Sequence, residues 1–436
     1  MKQVIVIGGG ASGIMAAIAS AQGGAVTTLL EAGPKPGRKL LLTGNGRCNL
    51  TNLDPQITSV YASSNWDEAQ LMIRSVLEQF PVKDTIAFFE KAGLLTAVEH
   101  GSYVYPVTGQ SASVLDVLLR VMQSLDIKVK YHEEVIAIEK NEASEEESAR
   151  WNVRTKTWTY HADCVILSCG SRAVPSTGSN GNGYELSRML GLDVTDVLPG
   201  LTAVSCAFLQ PDTKAYIPGA GRKNSPAGNA ESQASQDPLS AASGTRTTAL
   251  VKVYADGKAI ASEKGQVQFT LNDLSGVVVF NLSRSVVRAL HAGCEVMLSL
   301  DLLPDLPLSR LEKLIRSLLE RFQGITTRKL LAGLVPSRLI PAVIAWHEQS
   351  GMSLAEALKD FRLQAIRLRR FDSAQVCVGG VKVTELDPDT LECLSEDLKG
   401  IYLTGELIDV DGPCGGYNLQ WAWSSGYTAG THAAKE

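Results

Sequence analysis

The chain has 436 residues, with 41 Lys and Arg against 46 Asp and Glu and a formal net charge of −5. This mildly acidic balance provides no global attraction to nucleic acid or to an anionic membrane, although it leaves a local basic patch open. Hydrophobic residues make up 44% and charged residues 20%, which excludes wholesale disorder. Length alone predicts about two to three domains.

None of the eight cysteines forms a C-x-x-C pair, and the six histidines are scattered along the chain. We therefore expect free thiols in a cytoplasmic protein, and no metal site. Residues 3–30 carry no charge, but their glycines and polar residues argue against a signal peptide or a membrane helix.

The N-terminal segment predicts a βαβ unit. An apolar strand over residues 3–7 precedes a helical pattern over 11–22 that is rich in small residues, and a second strand follows over 25–31. This order, within about 30 residues, is typical of the unit that begins a parallel α/β sheet. We therefore expect an α/β fold.

The turn between the first strand and the helix contains Gly8, Gly10 and Gly13 in the spacing G-x-G-x-x-G. Gly8 permits the tight turn, Gly10 lets a pyrophosphate approach the backbone, and Gly13 lets the helix lie close to the sheet. The helix N-terminus offers N–H groups and a positive dipole end to phosphates. Glu31 ends the second strand, where its carboxylate can accept hydrogen bonds from ribose hydroxyls. Together these four residues predict a dinucleotide site.

A basic, glycine-containing segment follows between residues 33 and 52. Its arginines, lysines and backbone N–H groups are suited to phosphate or to the polar edge of a ring system. The same composition is typical of a solvated basic loop, and the residues alone leave both interpretations open.

Helices and strands alternate in the pattern of the following residues. Helices are expected over residues 67–79, 82–92, 111–124 and 184–190, and strands over 127–139, 151–158 and 163–168. The acidic run Glu145–Glu147 predicts a solvated hairpin tip. The last of these strands ends at Cys169 and Gly170, which places both at the sheet edge where ligands bind in open α/β folds.

Short strands in succession predict an inserted β-rich domain from about residue 197. They are expected over residues 202–209, 249–255, 267–270, 277–280 and 294–302. Residues 218–245 are mostly Gly, Ala, Ser and Pro, with Leu239 as the only large aliphatic residue, and predict a flexible loop.

Helical patterns follow over residues 308–323, 336–349 and 353–361. The first of them has an apolar stripe that consists of Leu311, Leu314, Ile315, Leu318, Leu319 and Phe322. Its arginines and lysines are interpreted as the solvated face of the helix.

The α/β pattern returns after about residue 365. Residues 376–383 read VCVGGVKV, and the apolar run over residues 401–404 predicts a short buried strand that ends at Gly405 and Glu406. Gly415-Gly416 then opens a final helix whose small residues permit close packing. The N-terminus of that helix would stabilise negative charge on an electron-accepting ring.

Three long motifs, GGGASG, GRKLLLTGNGRCNLTN and GELIDVDGPCGGYNLQWAWSSGYTAG, together resemble the BaiN/YhiN-type flavoproteins, the aminoacetone oxidase family of FAD-binding enzymes. The resemblance covers nearly the whole chain. It implies a discontinuous Rossmann-type FAD-binding domain with inserted β-barrel-like and helical subdomains. The FAD domain is then expected over residues 1–196 and 365–436, the β-rich domain over 197–303 and the helical subdomain over 304–364.

The resemblance also implies which residues bind the cofactor. Around the pyrophosphate and the adenosine they are Gly8, Gly10, Ala11, Ser12, Gly13, Glu31, Ala32, Lys39 and, through its backbone, Val135. On the isoalloxazine side they are Gly44, Arg47, Cys48 and Asn49. Along the rest of the FAD and under the flavin they are Cys169, Gly170, Gly405, Glu406, Gly416, Asn418, Leu419 and Gln420. No catalytic acid or base is assigned.

The sequence departs from the family pattern at three places. Cys169-Gly170-Ser171 stands where Thr-Gly-Gly is common, and Cys414 stands where Thr is frequent. Residues 270–279 lack the histidine and the proline of a frequent T-H-x-G-x-S-G-P segment, which leaves the shape of the substrate pocket open. We interpret Cys414 as a tolerated small residue, because it has no neighbouring cysteine.

We expect an FAD-dependent oxidoreductase, in which the protein positions the flavin and the cofactor supplies the hydride chemistry. A reductase would pass hydride from transiently docked NADH or NADPH to an unsaturated, enone or steroid-like substrate, and we prefer this version. An oxidase would take hydride from a small amine such as aminoacetone and pass electrons to oxygen. A third hypothesis is a flavin-carrying redox sensor that touches RNA through the basic cluster of Arg362, Arg367, Arg369 and Arg370.

Overall fold

The computed structural model describes residues 1–141, 149–208, 238–271 and 273–435. The chain forms two compact units, one of Met1–Leu198 with Gln375–Glu436 and the other of Pro199–Ala374. The first unit is discontinuous in sequence, because the second is inserted between its two segments. The acidic run predicted as a hairpin tip, Glu145–Glu147, lies outside the described residues.

The regular elements of the described residues are numbered in chain order. The α-helices are α1 (Ala11–Gln22), α2 (Trp66–Gln79), α3 (Val82–Lys91), α4 (Ser111–Ser124), α5 (Asn182–Met189), α6 (Val277–His291), α7 (Leu308–Arg321), α8 (Thr327–Leu331), α9 (Ile340–Ser350), α10 (Leu354–Lys359) and α11 (Tyr417–Lys435). The strands are β1 (Gln3–Ile7), β2 (Val26–Glu31), β3 (Thr51–Asn52), β4 (Thr96–Glu99), β5 (Tyr103–Pro106), β6 (Lys128–Tyr131), β7 (Val135–Lys140), β8 (Trp151–Thr155), β9 (Thr159–Ala162), β10 (Cys164–Leu167), β11 (Leu198–Gly200), β12 (Val204–Phe208), β13 (Arg246–Ala255), β14 (Lys258–Phe269), β15 (Asp273–Ser275), β16 (Val296–Asp301), β17 (Phe361–Leu368), β18 (Val376–Val378) and β19 (Ile401–Leu403).

A five-stranded parallel sheet organises the first unit. Its strand order is β19-β10-β1-β2-β6, and each neighbouring pair is parallel. The central β1 is buried from Val4 to Ile7, as expected of a strand that is covered on both faces. The register places Ile7 beside Leu30 and Leu167, so the carboxyl ends of three strands lie together. This arrangement confirms the predicted α/β fold with a Rossmann-type sheet.

Helices α1 and α11 pack closely against each other. A Cβ atom added at Gly426 would lie 2.3 Å from the carbonyl oxygen of Ser12, and one at Gly430 would lie 2.3 Å from that of Ala16. Glycine therefore allows a separation of the two helices that no other residue permits. The contact joins the N-terminal and C-terminal segments of the chain and closes the discontinuous unit.

Two antiparallel sheets complete the first unit, with strand orders β3-β5-β4 and β7-β8-β9. The segment over residues 127–139, which was expected to contain a strand, holds two strands, because β6 belongs to the parallel sheet and β7 to an antiparallel one. His132, between them, has a φ of 60°, and this left-handed backbone interrupts the extended chain.

Six strands of the second unit form a closed barrel in the order β12-β15-β14-β13-β16-β17. Every pair in it is antiparallel. Alternate residues such as Val251, Val253 and Leu298 are buried in its core, because successive side chains of a strand face opposite sides. The barrel confirms the expected β-barrel-like insertion.

The strand predicted over residues 277–280 is wrong, since these residues begin the helix α6. Gly276 precedes it with a φ of 104° and turns the chain into the helix. Val278, Leu282 and Val286 are buried on one helical face and join the barrel core. The β-branched run at the start of the segment concealed this period, which only becomes visible over a longer window.

The structure also moves the predicted boundaries of the insertion. Residue 365 lies inside β17, which pairs with both β12 and β16, so the second unit continues to Ala374. The barrel and the helices α7 to α10 share one hydrophobic cluster, so no boundary divides them at residue 304. The described residues thus form two units, whereas the resemblance implied three parts.

The predicted apolar stripe of α7 is only partly correct. Leu311 and Ile315 are buried, whereas Leu314, Leu319 and Phe322 are 39%, 50% and 48% exposed. The stripe spans more of the helix surface than the neighbouring elements cover, so its edges remain in contact with solvent.

The predicted flexible loop over residues 218–245 lies largely outside the described residues. Its last part is packed, which corrects the prediction there: Leu239 and Ala242 are buried, and the Gly244 amide donates to the Phe269 carbonyl at 2.9 Å.

Within the described ranges, no helix combines the length and the apolar character that a membrane crossing requires.

Candidate functional site

The carboxyl edge of the parallel sheet gathers the predicted cofactor residues of the first unit. The turn with Gly8 to Gly13 follows β1, Glu31 ends β2 and Ala32 follows it, Cys169 and Gly170 follow β10, and Gly405 and Glu406 follow β19. The side chains of Ser168 and Thr404 share a hydrogen bond of 2.8 Å and join two of these strand ends. Segments that are far apart in sequence therefore meet at one edge of the sheet.

The glycine-rich turn forms a tight fold with one open position. Gly8 has a φ of 103°, and a Cβ atom at Gly13 would lie 1.9 Å from the Gly8 carbonyl oxygen. In contrast, a Cβ atom at Gly10 would meet nothing within 4 Å. Gly10 also precedes α1 without any side chain that caps the helix. The turn thus leaves the N-terminus of α1 open to an anionic group such as a phosphate.

Glu31 holds the backbone of this edge together. Its carboxylate oxygens accept hydrogen bonds from the amides of Gly9, at 2.9 Å, and Gly33, at 2.7 Å. Its carbonyl accepts from the amide of Glu133 at 3.0 Å, which brings the segment before Val135 to the same place. A carboxylate has further lone pairs, so Glu31 keeps acceptor capacity for ribose hydroxyls.

The loop over residues 44–49, in the basic segment between residues 33 and 52, has an unusual backbone. Gly44, Asn45, Gly46 and Cys48 all have positive φ values, between 54° and 83°. Such conformations cost free energy for residues other than glycine and are common at ligand-binding loops.

The same loop meets the start of α11. A Cβ atom at Gly416 would lie 2.6 Å from the Thr51 carbonyl oxygen and 3.0 Å from Asn49 Oδ1. Asn49 is buried, and its Oδ1 atom has no hydrogen-bond partner among the described residues. Leaving such an acceptor unpaired costs about 1–3 kcal/mol, so the site fits a ligand that offers a polar hydrogen there.

Arg47 and Cys48 are engaged with protein groups. The Arg47 guanidinium donates to Glu99 at 3.1 Å and lies over the Tyr105 ring, 4.4 Å from its centroid. Burial raises the pKa of the Cys48 thiol to about 12, and burial likewise raises the pKa of Cys169 to about 12. Both cysteines therefore remain thiols at neutral pH, which gives neither the character of a nucleophile.

Glu406 lies at the centre of a charged group. Lys39 Nζ is 2.6 Å from Glu406 Oε2, and Ser171 Oγ donates to the same oxygen at 2.7 Å. The preceding Gly405 is fixed by α11, because its amide donates to Ser425 Oγ and its carbonyl accepts from Trp421 Nε1, both at 3.0 Å. Ser171 was not predicted in this role, since its only signal in the sequence is its place after the end of β10.

The first turn of α11 divides its predicted residues between two roles. Asn418 closes the preceding loop through hydrogen bonds of 2.8 Å to both the amide and the carbonyl of Gly412. Leu419 is half-buried and faces partly outward. Gln420 also lies in the first turn, and its side chain is fully buried and bonds to Thr51, Phe80, Thr85 and Ser424. A contact of this residue with FAD stays a prediction.

These features fit a flavin dinucleotide. The open helix N-terminus at Gly10 suits a pyrophosphate, Glu31 suits a ribose, and the unpaired Asn49 Oδ1 beside Gly416 suits a polar ring edge. Lys39 adds a positive charge near the path between them. The fold and the candidate site thus fit the class of nucleotide-binding flavoproteins.

The comparisons with known proteins agree with this class. The family model described as HI0933-like protein Rossmann domain matches residues 2–432, and the chain belongs to that family. The chain is an FAD-dependent oxidoreductase, which confirms the expectation from its motifs.

Two relatives match the chain from end to end. It is 36% identical to a 3-dehydro-bile acid delta(4,6)-reductase of Clostridium scindens, over 100% of both chains. It is 25% identical to a ribosomal RNA dihydrouridine synthase of Escherichia coli, over 97% of this chain and 96% of that one. A solved 3-ketosteroid delta1-dehydrogenase of Sterolibacterium denitrificans covers 100% of both chains at 12% identity, with a TM-score of 0.49.

Replacement of Lys39 tests the charged group at Glu406. We expect Lys39→Met to weaken FAD binding about tenfold, equivalent to about 1.4 kcal/mol, because it leaves a carboxylate unbalanced near an anionic cofactor. The difference should grow as the salt concentration falls. Fluorescence titration of the apoprotein with FAD measures it. Lys140→Met, which breaks the exposed pair with Asp397, is the control, and equal affinities of the two variants would contradict the assignment.

Proposed function

We propose that the protein is a reductase that passes hydride from NADH or NADPH, through FAD, to a carbon–carbon double bond conjugated with a carbonyl group. The substrate class is an enone of steroid-like size. The nicotinamide docks transiently, because the first unit has one glycine fingerprint and that one serves the FAD.

The observation that carries the proposal is the end-to-end identity of 36% with a reductase that acts on a 3-dehydro-bile acid. The second relative is a ribosomal RNA dihydrouridine synthase. Uridine differs from dihydrouridine by a carbon–carbon double bond conjugated with a carbonyl group, so its conversion adds two hydrogens to such a bond. A shared reaction type explains how proteins with such different substrates are alike over their whole length.

The residues of the site have roles that suit this reaction. The turn at Gly10 and the N-terminus of α1 hold the pyrophosphate, and Glu31 holds the adenosine ribose. Lys39 and Glu406 orient the middle of the cofactor, and the N-terminus of α11 at Gly416 stabilises negative charge on the ring. When bound, FAD supplies the hydride chemistry.

Charge favours a small molecule over RNA. Two arginines of the predicted basic cluster have carboxylate partners, since Arg362 pairs with Asp360 and Arg369 with Asp273. These pairs reduce the positive charge that the cluster offers to a phosphate backbone, and the net charge of the chain is −5.

Anaerobic mixing of the yellow protein with NADH, NADPH and aminoacetone separates the candidate functions. We expect a nicotinamide to bleach the flavin absorbance, and a 3-oxo bile acid with Δ4 and Δ6 double bonds to restore it. Bleaching by aminoacetone alone would identify an amine oxidase instead. Bleaching by none of the three would favour a redox sensor, and RNA binding that falls steeply with salt would support a role on RNA.

A further inference from the structure

Tyr417, the first residue of α11, is held in a fixed position beside the glycine pair Gly415-Gly416. Its hydroxyl donates a hydrogen bond to Asp54 Oδ2 at 2.9 Å. Its carbonyl accepts from the hydroxyl of Tyr61 at 2.8 Å, and the two rings meet edge to face. Both ends of the residue are therefore anchored, and only 9% of Tyr417 is exposed.

A second tyrosine completes this group. The Tyr103 ring lies against Gly415, where an added Cβ atom would be 3.2 Å from it, and Asn52 Nδ2 donates to the Gly415 carbonyl at 2.7 Å. Burial, and then the hydrogen bond to Asp54, raise the pKa of Tyr417 far above its ordinary value. Tyr417 therefore carries its proton at neutral pH. It directly follows Gly416, where the start of α11 meets Asn49 and Thr51.

Asp54 connects this proton to solvent. It is half-buried and is itself held by a local turn, in which its Oδ1 accepts from the Gln56 amide at 2.9 Å. Tyr417 is thus a buried tyrosine whose hydroxyl is hydrogen-bonded to a partly exposed carboxylate. This arrangement suits a proton donor, because a proton that the hydroxyl gives up can be replaced from water.

We propose that Tyr417 is the proton donor of the reductase, with Asp54 as its positioning residue. The proposal rests on the proposed function, in which hydride adds to the β-carbon of an enone. The π bond then breaks, its electrons form an enolate, and a proton must bond to the α-carbon. Tyr417 Oη gives this proton, and the tyrosinate regains one from water on the side of Asp54. The nicotinamide supplies one hydride, which carries both electrons, and the tyrosine supplies one proton, so atoms and charges balance.

Half-reactions of Tyr417→Phe test the assignment in the FAD-loaded protein. We expect normal FAD content and normal bleaching by the nicotinamide that reduces the wild type, because neither step protonates a carbon. Reoxidation by the 3-oxo-Δ4,6 bile acid should slow about 100-fold or more. Reoxidation by ferricyanide, which takes electrons without forming a C–H bond, should be unchanged. In D₂O the enone step of the wild type should slow, whereas its reoxidation by ferricyanide should not.

Two further variants make the test specific. Tyr427→Phe removes a hydroxyl from the same helix and keeps the ring stacked on Phe80, so it should behave like the wild type. Asp54→Asn should slow the enone step less than Tyr417→Phe and leave the ferricyanide step unchanged. Equal enone rates for Tyr417→Phe and the wild type would overturn the role of Tyr417, as would equal losses with enone and ferricyanide. A wild-type protein that no enone reoxidises would overturn the proposed function and this inference together. This outcome is distinct from the two outcomes for Tyr417→Phe, because it is seen in the wild type.

Discussion

Gly10→Val is expected to give a folded protein without its yellow colour. The added side chain meets no atom of the described protein near its Cβ, so the variant keeps its fold and loses only about 1 kcal/mol at a helix N-cap. The valine does, however, occupy the space through which a phosphate approaches the N-terminus of α1. FAD affinity should fall by at least about 100-fold, equivalent to about 2.7 kcal/mol.

Measurement of FAD stoichiometry together with circular dichroism separates binding from folding in this variant. Gly333→Val is the matched control, because Gly333 also has open space around its Cβ and lies outside the first unit. It should remain yellow. Gly10→Val with full FAD content would show that the pyrophosphate does not lie at this turn.

The nucleotide end of the site was predictable because its chemistry leaves a local pattern. The spacing of Gly8, Gly10 and Gly13 reflects a turn made by adjacent residues, and Glu31 follows within the same βαβ unit. The structure places these residues together at one sheet edge, as the pattern predicted.

The contact between Tyr417 and Asp54 could not be predicted in the same way. Tyr417 and Asp54 are 363 residues apart, and no sequence motif contains both of them. Their contact depends on how the C-terminal segment returns to the N-terminal one. The only local signal is a tyrosine placed directly after Gly415-Gly416.

The wrong predictions have equally local causes. Three consecutive valines at the start of α6 favoured a strand, but packing against the barrel core stabilises a helix.

Gln420 belongs to the motif of α11, and the helix turns its side chain toward Phe80 and Thr85 in the interior. A motif identifies residues, whereas their direction depends on which helix face meets the core.

Gly426→Ala is expected to destabilise the first unit by about 3 kcal/mol, at the upper end for an overpacked core position. Its Cβ atom would lie 2.3 Å from the Ser12 carbonyl oxygen, a backbone atom of α1 that cannot move without separating the helices. Because Ser12 lies in the first turn of α1, the shift also disturbs the phosphate-binding turn and should weaken FAD binding. Denaturant unfolding monitored by tryptophan fluorescence, with and without added FAD, measures both effects.

The comparison with Gly333→Ala decides whether the helix contact is responsible. That control introduces the same methyl group where nothing lies within 4 Å, so its stability should match the wild type within about 0.5 kcal/mol. Gly430→Ala, which would place its Cβ atom 2.3 Å from the Ala16 carbonyl oxygen, should repeat the loss one turn further along. The double variant should cost less than the sum, because one separation of α1 from α11 relieves both clashes. Full additivity would mean that the two glycines act independently, and that the helices do not move apart as one rigid pair.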